Sequence, residues 1–283
     1  MSAVEWAGLG AAALGLVAVL GLAIGSFLNV VAYRVPLGLS VVSPPSACPG
    51  CGSEIQPRDN IPVVSWMLLR GKCRHCAEPI SARYPIVEAI TGAVFVAVAL
   101  RFLPDVLAAS SVASAVSSAL ILVAFLYLGA ISVALTAIDL DVHRLPDRIV
   151  LPSYAVGAVL LGAAALVGGD GVALARGLAG AGILVAFYLL LAILKPGGMG
   201  MGDVKLAGVL GLFLGYLGWA PLIVGTFGAF FLGGIVGIAL ILARRATRGT
   251  GVPFGPWMFA GAWIGIFTGD QLVALYLAWV GLS

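Results

Sequence analysis

The sequence predicts an all-α polytopic membrane protein of about eight transmembrane helices, with a small cytoplasmic zinc-binding insert between the first two. Three observations predict it. Of the 283 residues, 61% are hydrophobic and 10% charged, and the mean hydropathy is +1.14, far from the balance of a soluble globular domain. Apolar runs recur from Trp6 to the C-terminus, and roughly 20 helical residues are enough to cross a ~30 Å hydrocarbon core. The one sizeable polar stretch, residues 35–83, is rich in Pro, Ser and Gly and holds all four cysteines.

The spans are expected at 6–32, 84–103, 112–137, 149–168, 173–194, 206–219, 222–243 and 256–280. The sixth is short and Gly269-Asp270 interrupts the eighth, so the pattern also fits seven spans and an interfacial tail. The start "MSAVEWAG" has no basic n-region and the first apolar run exceeds a signal-peptide core, so it is expected to be retained. With the N-terminus outside, Arg34, Arg58, Arg70, Lys72, Arg74, Arg83, Arg144, Arg148, Lys195, Lys205, Arg244, Arg245 and Arg248 fall on one face. Arg101 and Arg176 fall on the other. The positive-inside rule makes the first face cytoplasmic, and the chain is expected in the plasma (inner) membrane. Such a face favours anionic headgroups. No basic run is interleaved with aromatics, so nucleic acid is not an expected partner.

Three domains are expected: a first helix at 1–34, a cytoplasmic insert at 35–83 and a membrane domain at 84–283. The insert carries "CPGC" at Cys48 and Cys51 and "CRHC" at Cys73 and Cys76, 21 residues apart. Two such knuckles bring four thiolates to a tetrahedral point, as in a structural zinc ribbon. A segment this small buries too little apolar surface to fold alone, whereas a structural metal contributes roughly 10 kcal/mol or more. The competing reading is a pair of disulfides or a redox dithiol, which a reducing cytoplasm opposes. His75, inside the second knuckle, is a spare ligand or a solvated loop residue.

Six acidic residues, Glu5, Glu54, Asp59, Glu78, Asp105 and Asp170, fit polar loops. Six do not: Glu88, Asp139, Asp141, Asp147, Asp203 and Asp270. The third span ends "LTAIDLDVHRLPD", so Asp139 sits at the helix terminus and Pro146 sets the turn into the next span. Asp203 opens the sixth span after Gly200-Met201-Gly202, where glycine permits positive φ and close approach. Both carboxylates are expected at one membrane depth. An ionisable group there is costly without a partner or a task. Two adjoining carboxyls share a proton and hold a water between a base and an acid, as in aspartic proteases. The alternative is structural: Asp203 as an N-cap and Asp139 paired with Arg144 or Arg148.

Five stretches resemble the bacterial type IV prepilin peptidases, bifunctional leader peptidases and N-methyltransferases among the GxGD membrane aspartyl proteases. They are "GSFLNVVAYRVP" at 25–36, the cysteine insert from Cys48 to Gly92, "IDLDVHRLPD", "GMGDVK" and "PFGPWMFAGAWIG". The resemblance implies that Asp139 and Asp203 are catalytic, supported by Gly200, Gly202 and Lys205. It implies a zinc site at Cys48, Cys51, Cys73 and Cys76. It also implies cleavage of prepilins or pseudopilins after a glycine, followed by N-methylation from S-adenosylmethionine. Gly92 falls in a stretch linked to methyl transfer. Glu88 either holds the incoming amine or is buried against a helix or Arg83, Asp141 and Asp147 support the site or cap helices, and His143 lies in a polar turn where a catalytic role is open but not needed. No Gly-rich loop marks the methyl-donor pocket.

Rival readings are a peptidase without methyl transfer, a proton-coupled transporter and a zinc-ribbon membrane scaffold. A transporter would show internal repeats and ionisable groups near mid-membrane, and neither is clear here. Preflagellin-type and presenilin-like enzymes share the aspartates but not the four-cysteine insert.

Overall fold

The computed structural model describes residues 3–243 and 253–282, and Arg244, Arg245 and Arg248 lie outside the described residues. Eight long helices and one short one carry the described chain, with no strand among them: α1 Ala3–Arg34, α2 Val64–Leu68, α3 Arg83–Leu107, α4 Val112–Val142, α5 Asp147–Gly168, α6 Gly171–Leu194, α7 Met201–Leu217, α8 Trp219–Leu242 and α9 Gly255–Trp279. Among the described residues, seven helices are long and apolar enough to cross a membrane; α7 falls outside that set. This is a multi-pass membrane protein.

Two compact units divide the chain, residues 1–109 with 125–134, and residues 110–124 with 135–283. In the first, α1 packs on α3 through small residues. A Cβ on Gly21 would stand 2.9 Å from Gly92 Cα, and one on Gly25 2.7 Å from Glu88 Cα. Contacts this close need glycine and give van der Waals cohesion that lipid cannot supply. Phe102 stacks on Phe125 at 4.5 Å between ring centroids.

In the second unit, α7 is the central element. Val204 and Leu206 to Tyr216 are all buried, so protein rather than lipid surrounds this helix of about 25 Å. Its glycines Gly211 and Gly215 lie against Gly180 and Gly177 of α6, where any Cβ would strike backbone. Arg176, assigned to the outer face by sequence, ends α7: its Nε donates to Gly215 O and its Nη2 to Tyr216 O, both at 2.9 Å. A cation on C-terminal carbonyls satisfies groups that the helix leaves open.

One expectation is corrected. Gly269-Asp270 does not interrupt the last span, because α9 runs unbroken from Gly255 to Trp279. Gly269 serves packing instead, since a Cβ there would meet Pro221 Cα at 2.8 Å.

Candidate active site and metal centre

Asp139 lies in the last turn of α4, which continues to Val142 before His143 closes it in the left-handed conformation, φ 52°. The side chain is buried, 4% exposed. Its Oδ2 accepts the Gly255 N–H at 3.0 Å, from the first residue of α9, in place of the ion pair with Arg144 or Arg148. A carboxylate held by a backbone donor at a helix N-terminus is favoured by both the hydrogen bond and the dipole.

Asp203 is in the first turn of α7 but is not its N-cap; that position belongs to Gly200. The Asp203 Oδ2 reaches back to accept the Gly200 N–H at 3.1 Å. Gly200 has φ −79°, and neither it nor Gly202 has positive φ, so these glycines supply room, not an unusual backbone. A Cβ on Gly202 would stand 3.0 Å from Leu145 Cβ, and one on Gly255 2.8 Å from Asp139 Oδ2 and 3.2 Å from Leu145 Cδ2. Leu145, in the loop after α4, thus touches the glycine beside each aspartate. One loop residue therefore stands beside both carboxyl sites.

Two further links tie the motifs together. Lys205 Nζ donates to both oxygens of Asp147 at 2.8 Å, joining the starts of α7 and α5. The Tyr154 hydroxyl donates to Lys205 O at 2.6 Å. Asp147 is therefore a tether between helices rather than a cap alone. Tyr188 of α6 is almost wholly buried and packs with Phe230 and Phe254. Gly255 and Tyr188 carried no signal as site residues in sequence; the one available hint was a Gly-Pro at a helix start.

In the first unit, the sulfurs of Cys48, Cys51, Cys73 and Cys76 lie within 4.8 Å of one another. Tetrahedral zinc with Zn–S near ~2.3 Å requires sulfurs about 3.8 Å apart. The Cys48–Cys76 separation is 3.7 Å and Cys51–Cys73 is 4.0 Å, so the residues fit the metal. The knuckles are copies of one turn. Cys48 N–H donates to Ser53 O at 2.9 Å and Gly52 N–H to Cys48 O at 2.8 Å; Cys73 N–H donates to Glu78 O at 2.8 Å and Ala77 N–H to Cys73 O at 3.0 Å. The residue after each second cysteine is left-handed, Gly52 at φ 70° and Ala77 at 59°.

Ser53 hydrogen bonds pull the Cys51 thiol down to about 6, and backbone hydrogen bonds from Cys76 and His75 lower Cys73. A backbone hydrogen bond at Glu78 pulls Cys76 down, yet burial and its three thiol neighbours push it up to about 12. Four sulfurs this close resist full ionisation unless a cation joins them. Arg74, in the second knuckle, clamps Asp59 with contacts of 3.0, 2.9 and 2.6 Å; that hydrogen-bonded pairing holds the Asp59 carboxyl below its usual range. His75 is not needed as a ligand, and its N–H donates to Cys73 Sγ at 3.5 Å.

Glu88 is buried, 7% exposed, and its Oε2 accepts the Val63 N–H at 2.7 Å. It ties α3 to the insert. Gly92 is a packing residue, since a Cβ there would stand 3.0 Å from Leu22 Cδ2 of α1.

Residues 19–102 match the model of the bacterial peptidase A24 N-terminal domain, and residues 126–238 that of the type IV leader peptidase family. Among curated relatives, the prepilin leader peptidase/N-methyltransferase of Aeromonas hydrophila is 36% identical, with 93% of each chain covered. The protein of that name from Pseudomonas aeruginosa is 33% identical over the same shares. That from Bacillus subtilis is 30% identical over 93% of this chain and 98% of its own. No solved structure matches.

Proposed function

The chain belongs to the type IV leader peptidase family, and from that membership we propose that it removes the leader of prepilins or pseudopilins with Asp139 and Asp203, then N-methylates the new N-terminus. The observation that carries the peptidase reading is local convergence. Asp139 is held by Gly255, Asp203 by Gly200, and Leu145 packs against Gly202 and Gly255 between them.

Two carboxyls whose charges repel hold one proton between them, giving a base and an acid in one place. The ionised member takes a proton from water, and the water oxygen bonds to the scissile carbonyl carbon. The protonated member hydrogen-bonds to the carbonyl oxygen and supplies the proton that leaves with the amine as the C–N bond breaks. The Gly255 and Gly200 N–H groups fix the orientation of the carboxylates before substrate arrives, which spares reorganisation.

The amine freed by cleavage is the nucleophile for methylation, and S-adenosylmethionine, the donor expected of this family, supplies an electrophilic methyl group. The four cysteines would hold a structural zinc through all four sulfurs, and that metal would stabilise residues 35–83 without taking part in the chemistry. Residues 84–283 form the peptidase domain after the first helix. The basic residues weight one face of the spans, which supports an inner-membrane protein with the dyad and insert in the cytoplasm.

The test is to incubate membranes with a prepilin and read leader removal and addition of one methyl group by mass spectrometry. Asp139→Asn or Asp203→Asn should abolish cleavage in folded protein yet still methylate a pre-cleaved pilin. Wild-type cleavage by either variant overturns the dyad; loss of both activities overturns their separation.

A further inference from the structure

The insert leaves one apolar face uncovered. In and around α2, Ser65 is buried, its Oγ donating to Arg58 O at 2.9 Å and accepting the Ile61 N–H at 3.0 Å. Trp66 Nε1 donates to Ile80 O at 3.0 Å. These two residues point into the insert. Val64, Met67 and Leu68 recur at the three- and four-residue spacing of one helix face, and Ile61 lies just before the helix, ahead of Val63 at φ 60°. All four are exposed, Met67 to 66% and Leu68 to 77%. Large apolar side chains exposed this close together in sequence mark a surface that meets a partner or a membrane.

The height of that face is set by Glu88. The Val63 N–H donates to Glu88 Oε2, five residues into α3, about 7.5 Å along the helix at 1.5 Å per residue. The sequence places the start of this span at 84, four residues or about 6 Å before Glu88. Glu88, and with it the start of α2, therefore sits at or just inside the hydrocarbon boundary. Ile86 and Ile90 flank Glu88 and are 54% and 49% exposed on α3, so apolar surface is already presented at that level. Arg58, Arg70 and Lys72 around α2 are exposed and suit anionic headgroups. Asp59, the acid nearest to them in sequence, is already paired with Arg74.

We propose that the Ile61, Val64, Met67 and Leu68 face lies in the headgroup–acyl boundary, so that the insert is attached to the lipid surface and does not stand free in the aqueous phase. Its apolar residues enter the boundary while the basic residues meet lipid phosphates, the arrangement of an interfacial helix. The metal knuckles are then held at a fixed height beside the membrane.

The experiment places a photoreactive benzoylphenylalanine at Met67, Leu68 or Ile90 of the full chain. Each labelled chain, checked for an unchanged size-exclusion profile, is reconstituted in phosphatidylethanolamine/phosphatidylglycerol vesicles and irradiated with and without prepilin. Mass spectrometry should find phospholipid adducts at Met67 or Leu68 in yields comparable with Ile90, and prepilin should not displace them. Lipid adducts at Ile90 with none at Met67 and Leu68 would overturn the proposal. So would cross-links to prepilin in place of lipid, which would make the face a peptide-docking surface.

Discussion

Replacing Gly255 with alanine separates the geometry of the site from the stability of the fold. The new Cβ would stand 2.8 Å from Asp139 Oδ2, about 0.6 Å short of the 3.4 Å at which ordinary contact begins, and 3.2 Å from Leu145 Cδ2. The carboxylate must turn away, losing its 3.0 Å bond from the Gly255 N–H. A hydrogen bond to a charged group is worth about 1.5–3 kcal/mol, and 1.36 kcal/mol is tenfold in rate, so kcat/KM for leader cleavage should fall about 10- to 150-fold. The fold should not suffer. Gly255 begins α9 without positive φ, and alanine is the better helix former by up to about 1 kcal/mol. Gly162→Ala and Gly234→Ala, which meet nothing within 4 Å, are the matched controls. Cleavage kinetics on purified protein in detergent give the comparison. A folded Gly255→Ala enzyme as fast as the controls would refute the claim that this hydrogen bond orients a working Asp139.

Purified protein should carry one zinc per chain, and replacing Cys48 or Cys73 with serine should release it and open residues 35–83 to proteolysis; a metal-free but protease-resistant insert would contradict this. Within the knuckles, Ala77→Gly should relieve a left-handed residue that costs about 1–2 kcal/mol, partly offset by glycine's greater freedom when unfolded. The insert should then hold zinc better against a chelator, and Gly52→Ala should do the reverse. Asp147→Asn and Lys205→Met should each leave the fold intact, because the side chains of this pair are 53% and 36% exposed. A double-mutant cycle on kcat/KM should give a coupling of only about 0.2–1 kcal/mol, and the charge-reversed pair Asp147→Lys with Lys205→Asp should recover part of what either reversal loses.

Span positions were legible because hydrocarbon demands long apolar runs, and the cysteine cluster because metal geometry constrains spacing. Helix ends were less legible. Asp139 lies inside the last turn of α4, and α7 begins at Met201, five residues before its apolar run, because capping and tertiary contact set those limits. The place of α7 at the centre of its unit could not be read from hydropathy, which is blind to whether lipid or protein surrounds an apolar helix. Gly255 was hidden for a related reason: its donor meets Asp139 across 116 positions of sequence, a pairing that no local pattern encodes. Sequence leaves Glu88 open between an amine holder and a buried group, and its bond to the strained Val63, φ 60°, arises only when the insert folds back on α3.

Asp139→Asn, Asp203→Asn and the double variant, compared with the wild type for prepilin cleavage in one membrane preparation, test the dyad most directly. Groups that act as a unit are non-additive, so each single variant should lose as much activity as the double. A single variant that retains cleavage well above the double, while folded and able to methylate a pre-cleaved pilin, would show that the two aspartates do not form one catalytic pair.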